Sequence, residues 1–273
     1  MEQSAPDIKV IKQKMADIWA NGDFGVIARS LVPAANDLIN SLEIGPGSKV
    51  LDVACGSGNL AIVAAGKGAH VNGIDIVDDL IRQSKERAEE QNLNIDFIVG
   101  DAEALPYSDN QYDYVVTMFG AMFCPRPDVT TKELFRVCKP GGKVVMANWT
   151  QNDFANDFFG TISKYAPPPP PGVAKPNEWG EEEIVKERFK DYASNIECTK
   201  RTTELEYDVD PAGTTEYFMK YFGPTKTVYE MLEDDEQKKF YDEITDVFKK
   251  YNISKGHNNV MVGEYLQVIA TKA

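Results

Sequence analysis

The chain is short of cysteine, histidine and positive charge, and each shortage closes a route. Four cysteines, Cys55, Cys124, Cys138 and Cys198, are scattered through 273 residues with no CxxC pair. Such spacing speaks against a metal or redox centre and for free thiols in a reducing cytoplasm. The two histidines are isolated: His70 falls in a predicted strand, where a structural role is the plainer reading, and His257 in the polar turn KGHNN. Lysine and arginine number 29 against 43 acidic residues, a formal charge of −14, and no basic cluster offsets it. An acidic surface repels phosphate backbones and anionic lipid, so neither nucleic acid nor a membrane is an expected partner. The longest strongly apolar run, LAIVAA, is too short to span a bilayer. The opening MEQSAPDIKV has neither the basic nor the apolar region of a secretory signal, and a cytoplasmic location is expected.

What is present is an ordinary globular composition, 42% apolar and 26% charged, long enough for a sizeable core. Residues 7–20 carry Ile8, Ile11, Met15, Ile18 and Trp19 at helical intervals. A second helix is expected through VIARSLVPAANDLINSL, interrupted near Pro33. KVLDVAC then reads as a strand buried on both faces. From there strands and helices alternate. A helix is expected at 59–66, a strand at 70–75, a helix from Asp78 to about Gln91 capped by Asp78 or Asp79, and strands at 95–100 and 112–119. A helix at 129–138 follows, closed by Pro140-Gly141-Gly142, and then a strand at 143–149. Alternation of this kind implies a parallel sheet covered on both sides. Further on, the run Pro167 to Pro171 reads as a stiff spacer, 181–190 as a helix, IECTKRTTELEYD as a strand, 212–251 as two helices and VMVGEYLQVIATK as a closing strand.

The stretch LDVACGSGNLA, residues 51–61, joins the first core strand to its helix through a glycine-rich turn. Without Cβ atoms such a turn lets a ligand reach the backbone, and GSGNLA satisfies the dinucleotide pattern GxGxxG/A. That pattern alone does not choose the nucleoside. Asp52, Asp75 and Asp101 fall at the carboxyl ends of three successive strands, where open α/β sheets bind ligands. Asp52 would repel a nearby pyrophosphate and attract the ammonium of a methionine moiety. Asp75 can accept both hydroxyls of a ribose, and Asp101 can accept from an adenine amine. The balance tips toward S-adenosylmethionine (SAM).

These segments resemble the class I SAM-dependent methyltransferases, in particular the small-molecule enzymes of ubiquinone and menaquinone biosynthesis. LDVACGSGN is similar to their first motif, GIDIVDDLI to the second, GDAEALPYSDNQYDYVV to the third and fourth, and RVCKPGGKVVMANW to the segment entering strand five. The resemblance covers roughly residues 45–150 and departs at Ala54, where the family has its first glycine. It implies a single domain with a doubly wound, mostly parallel seven-stranded sheet. The core would be about 45–150 plus antiparallel strands at about 193–206 and 259–271, with a helical cap from 1–44 and about 208–257. It also implies that Asp52, Ala54, Gly56 and Gly58 meet the methionine part of SAM and that Asp75 binds the ribose. Ile76 would pack on the adenine, Asp101 and Ala102 would hold its edge, and Met118 and Phe119 would face the sulfonium and substrate. Trp19 and Phe24 fall where such families close a lid over the cofactor. Core packing is the competing role for Met118, Phe119, Trp19 and Phe24.

Methyl transfer from a sulfonium draws much of its catalysis from alignment and water exclusion, so no catalytic triad is required and none is visible. Candidate substrate-lining residues are Phe119, Trp149 at the end of strand five, and Tyr217 and Tyr221 in EYFMKYFG. The insertion at about 208–257 is expected to wall a substrate cavity over Phe119 and Trp149. The expected activity is methylation of a small molecule. An NAD(P)-dependent oxidoreductase and a non-catalytic SAM-binding protein are the alternatives. The sequence names neither the acceptor, the atom methylated, a general base nor the oligomeric state.

Overall fold

The architecture follows from one short strand, β1 (Lys49–Val53), in which every residue after Lys49 is buried. A strand with no solvent face must be covered on both sides and flanked on both edges. In the computed structural model, which describes residues 7–151, 154–170 and 173–273, both conditions are met. β1 lies at the centre of a seven-stranded sheet of order β3-β2-β1-β4-β5-β7-β6. The flanking strands are β2 (His70–Asp75), β3 (Ile95–Val99), β4 (Tyr112–Met118) and β5 (Cys138–Trp149), all parallel to their neighbours. β6 (Ala193–Tyr207) and β7 (Asn259–Lys272) complete the sheet with antiparallel pairings, β7 between β5 and β6.

The helices are α1 (Ile8–Ala20), α2 (Phe24–Ile27), α3 (Val32–Asn40), α4 (Asn59–Gly66), α5 (Asp78–Glu90), α6 (Pro127–Val137), α7 (Phe154–Tyr165), α8 (Glu182–Phe189), α9 (Pro211–Tyr221), α10 (Gly223–Met231) and α11 (Asp234–Tyr251). α4 buries Asn59, Leu60, Ala61, Ile62 and Ala64. α5 is amphipathic, and buries only Leu80, Ile81, Ser84 and Ala88.

Several sequence expectations are corrected. The second helix is broken: α2 passes through a 3-10 turn at 28–31 into α3, and Pro33 sits in the first turn of α3, where its missing N–H costs nothing. Neither Asp78 nor Asp79 caps α5. The N-cap is Val77, whose N–H is taken by Asp75, while the Asp79 carboxylate is held by Arg82 and Gln83; both aspartates act as first-turn charges on the helix dipole. Pro140-Gly141-Gly142 does not precede strand five but lies within it, as an irregularity where the register jumps from Tyr112–Cys138 to Tyr114–Lys143. A Cβ on Gly142 would stand 2.9 Å from the Asp113 carbonyl oxygen, which is why the close approach takes a glycine. The insertion holds three helices rather than two, because Phe222, in extended conformation, and Pro224 separate α9 from α10. α7 was not anticipated. Pro167–Pro170 carry no regular structure, and Pro171 and Gly172 of the expected spacer lie outside the described residues.

Candidate functional site

At the carboxyl end of β1 the chain turns through Ala54, Cys55, Gly56 and Ser57 into α4. Two features hold this turn. The Asp75 carboxylate, ending β2, accepts from the Gly56 N–H at 2.8 Å and the Val77 N–H at 2.9 Å. From α5, Arg87 donates to the Ser57 carbonyl at 2.5 Å, the Ser57 hydroxyl and Asn59. Nothing in the sequence marked Arg87, since its partners lie about thirty residues upstream. Asp52, 1% exposed, accepts from the Ala61 N–H of α4 at 2.9 Å. Burial outweighs that bond and raises its pKa to about 8, so free Asp52 is largely protonated at neutral pH. Burial also raises Asp75, against its main-chain bonds.

Two backbone positions here are unusual. Ala54 (φ +54°) and Phe119 (φ +55°) occupy the left-handed region that favours glycine. A Cβ added to Gly120 would sit 2.4 Å from the Ala54 carbonyl oxygen, so the turns after β1 and β4 touch backbone to backbone. Ala54 therefore takes the glycine-like conformation at a strain of about 1 kcal/mol, and its methyl is packed at Gly120. At a third strand end, Asp101 accepts from the Glu103 N–H and from Lys12 Nζ. Lys12 also pairs with buried Glu103 at 2.7 Å, and Glu103 with Arg126 at 2.7 Å, tying α1 to the turns beyond β3 and β4.

These strand ends open on a cavity of about 1040 Å³, lined by Asp52, Ala54, Gly56, Asp75, Ile76, Asp101, Ala102, Met118, Phe119, Trp19 and Phe24 together with residues sequence reasoning missed, among them Lys12, Met15, Asn59 and Cys124. Ile76 is 37% exposed, an apolar side chain facing this space. Gly58 does not line it. Its φ of +86° caps α4, and a Cβ there would press on Phe97 and Ser84 at 3.1 Å, so this glycine serves helix-to-sheet packing. Burial lifts the Cys124 thiol to about 12 and raises Cys55 as well, which leaves both protonated.

A second cavity of about 510 Å³ adjoins the first and shares Trp19, Phe24, Leu31, Phe119 and Phe123 with it. Its outer wall is Trp149, Phe154, Phe158, Leu205, Phe218 and Phe222. Phe119 and Trp149 stack at 3.8 Å with planes 3° apart. α9 therefore does reach over Phe119 and Trp149, but through a different face. Tyr217 donates to the Val26 carbonyl and packs on Tyr221, while Phe218 and Phe222, one residue on from each, enter the cavity wall. Neither histidine lines either cavity. His70 is exposed at the amino end of β2, opposite the strand ends, and His257 is exposed in the turn before β7.

The fold is thus of the doubly wound nucleoside-binding type, with its ligand cavity outside the carboxyl ends of the parallel strands. Residues 50–142 match a family described as a methyltransferase domain. The uncharacterized protein Rv1403c of Mycobacterium tuberculosis is 35% identical over 258 residues, 93% of each chain. Demethylmenaquinone methyltransferase of Bacillus mycoides is 38% identical over 114 residues, 40% of this chain and 48% of that one. In three dimensions the YcgJ protein of Bacillus subtilis superposes with a TM-score of 0.61 over 88% of this chain and 98% of its own, at 17% identity, a likeness of fold. The chain belongs to the class I SAM-dependent methyltransferases and is a methyltransferase enzyme.

Proposed function

We propose that the larger cavity binds SAM and that the smaller one receives a small-molecule methyl acceptor. The observation that carries this reading is the junction itself: a carboxylate-rich cavity at the strand ends adjoins an aromatic one, with Phe119, Trp19 and Phe24 on the wall of both.

The cavity's chemistry fits the cofactor part by part. Asp75 is 8% exposed and already oriented by two main-chain N–H groups, which suits it to accept a ribose diol. Exposed Ile76 offers an apolar face to the adenine, with Asp101 and Ala102 at its edge. Buried Asp52 suits the ammonium of the amino acid end, which would draw its proton off. A dinucleotide fits less well. Among the described residues Lys12 is the one cation on the wall and is committed to Asp101 and Glu103, so a pyrophosphate would face Asp52 without a described counter-charge. Met118 and the rings of Trp19, Phe24 and Phe119 suit a sulfonium, since aromatic faces attract cations.

Bound SAM supplies an electrophilic methyl carbon. The chain's own contribution is to hold the acceptor at the Phe119 junction and to exclude water with the aromatic wall. No described residue on the smaller cavity's wall is a histidine, lysine or carboxylate. The charge of −14 disfavours an RNA acceptor. Among the described residues no helix is long and apolar enough to cross a membrane, and four free thiols suit a reducing cytoplasm. Incubating the enzyme with a metabolite extract and SAM bearing a labelled methyl group tests the reading. A labelled small molecule that requires the enzyme is expected; label confined to protein or RNA would overturn the small-molecule assignment.

A further inference from the structure

The smaller cavity has an unusual polarity. None of the described side chains on its wall carries a charge, and most are aromatic. Outside the indole N–H groups, the described polar side chains on it are two hydroxyls, Ser30 and Tyr207, 3.1 Å apart. Their protons can be assigned. Ser30 Oγ donates to the Ile27 carbonyl at 2.9 Å, which uses its single hydrogen. In the Ser30–Tyr207 pair Tyr207 is therefore the donor, and its own proton is spent on Ser30. What Tyr207 retains is acceptor capacity on its oxygen. Burial raises the Tyr207 pKa, so it stays a neutral phenol.

From this arrangement we infer that the aromatic chamber selects a ring-containing acceptor that carries no anionic group and donates one hydrogen bond, from a hydroxyl or N–H, to the Tyr207 oxygen. The inference rests on the methyltransferase reading for the word acceptor, but its binding claim stands separately. A carboxylate or phosphate on the ligand would lose its water here and gain no partner among the described wall residues, a penalty far larger than one hydrogen bond recovers. A flat apolar ring, by contrast, meets matching faces: the stacked Phe119–Trp149 pair on one side and Phe158, Phe218 and Phe222, themselves edge-on or tilted to one another, on the other. Tyr207 is fixed in turn by the rings of Tyr217 at 5.6 Å and Phe218 at 5.5 Å, so its oxygen is a preorganised acceptor. On this inference it is a positioning residue and takes no part in the chemistry.

Calorimetry with three probes of one ring system tests this: 4-hydroxybiphenyl, 4-methoxybiphenyl and biphenyl-4-carboxylate, each titrated into the enzyme with and without saturating S-adenosylhomocysteine. The hydroxyl probe is expected to bind in both conditions, and the carboxylate probe about a hundredfold more weakly or not at all. Tyr207→Phe keeps the ring, and is expected to weaken the hydroxyl probe about fivefold while leaving the methoxy probe unchanged. The inference is overturned if the carboxylate probe binds as well as the hydroxyl one, if Tyr207→Phe weakens both neutral probes equally, or if the hydroxyl probe competes with S-adenosylhomocysteine and so lies in the other cavity. The two readings fail separately. S-adenosylhomocysteine binding with no neutral probe bound sinks the chamber alone; selective probe binding with S-adenosylhomocysteine silent sinks the cofactor assignment and supports the chamber as a binding site.

Discussion

The two cavities meet at Phe119 yet are built by opposite means. The larger is made where successive parallel strands end, so its carboxylates and glycines lie next to a strand in the sequence, with Lys12, Met15, Trp19 and Phe24 added from the first two helices. Its polar groups are held by main-chain N–H groups, as Asp75 is by Gly56 and Val77 and Asp52 by Ala61. The smaller draws its rings from the α1–α2 region, the β4 turn, β5, α7, the end of β6 and α9, and these hold one another by edge and face contacts alone. One site is a property of the sheet, common to all folds of its kind; the other belongs to this chain's insertions. Changes to the first should act on cofactor binding, and changes to the second on stability and acceptor binding.

The largest effect is expected at Trp149. Truncation to alanine removes a buried indole, its stack on Phe119 and its contact above Gly263, where an added Cβ would meet the ring at 2.7 Å. A loss of about 3–5 kcal/mol of stability is expected by chemical denaturation. S-adenosylhomocysteine affinity should stay within a few fold where the variant is folded; a comparable collapse in cofactor affinity would mean the two cavities are one unit.

Asp75→Ala is the reverse case. Loss of a charge-assisted acceptor, worth roughly 1.5–3 kcal/mol for each ribose hydroxyl, should lower S-adenosylhomocysteine affinity at least about tenfold in a calorimeter. The Gly56 turn also loses its anchor, which adds to the effect. A folded variant with unchanged affinity would remove Asp75 from the site.

A smaller effect concerns pH. Asp52 has a folded pKa near 8, well above its ordinary value, so the folded state holds a proton that the unfolded chain releases. Its contribution is therefore greatest below about pH 4 and declines as pH rises toward 8, at about 1 kcal/mol per pH unit. Asp52→Asn should flatten that slope between pH 5 and 8 in denaturation series; an unchanged slope would assign it to other groups. Least of all, Ala54→Gly relieves left-handed strain but frees the unfolded chain, and the two nearly cancel. Melting is expected to shift by less than about 1 kcal/mol, with cofactor affinity kept. A large loss would show that the Ala54 methyl is needed against Gly120.

The same contrast explains what could be read from the sequence. The alternation of apolar runs with amphipathic helices revealed the sheet, and carboxylates at predicted strand ends revealed the larger cavity, because a strand's end and its ligand edge coincide. Turn-level detail did not follow: Gly58 fits a ligand motif yet faces Phe97, and Pro140-Gly141-Gly142 looks like a helix stop yet lies inside β5. The aromatic chamber was foreseen as a wall but not as a residue set. In α9, four aromatics fall at 217, 218, 221 and 222, and which pair faces inward depends on how α9 packs, which periodicity alone does not fix; the structure selects Phe218 and Phe222. Tyr207 and Phe158 carried no local signal, since each acquires its role only from partners far along the chain.

Calorimetric titration of the unmodified enzyme with S-adenosylhomocysteine and, separately, with NAD tests the central claim most directly. Saturable binding of S-adenosylhomocysteine at one site per chain, with no heat from NAD, is the expected result. Tight NAD binding with no response to the adenosyl compound would contradict it.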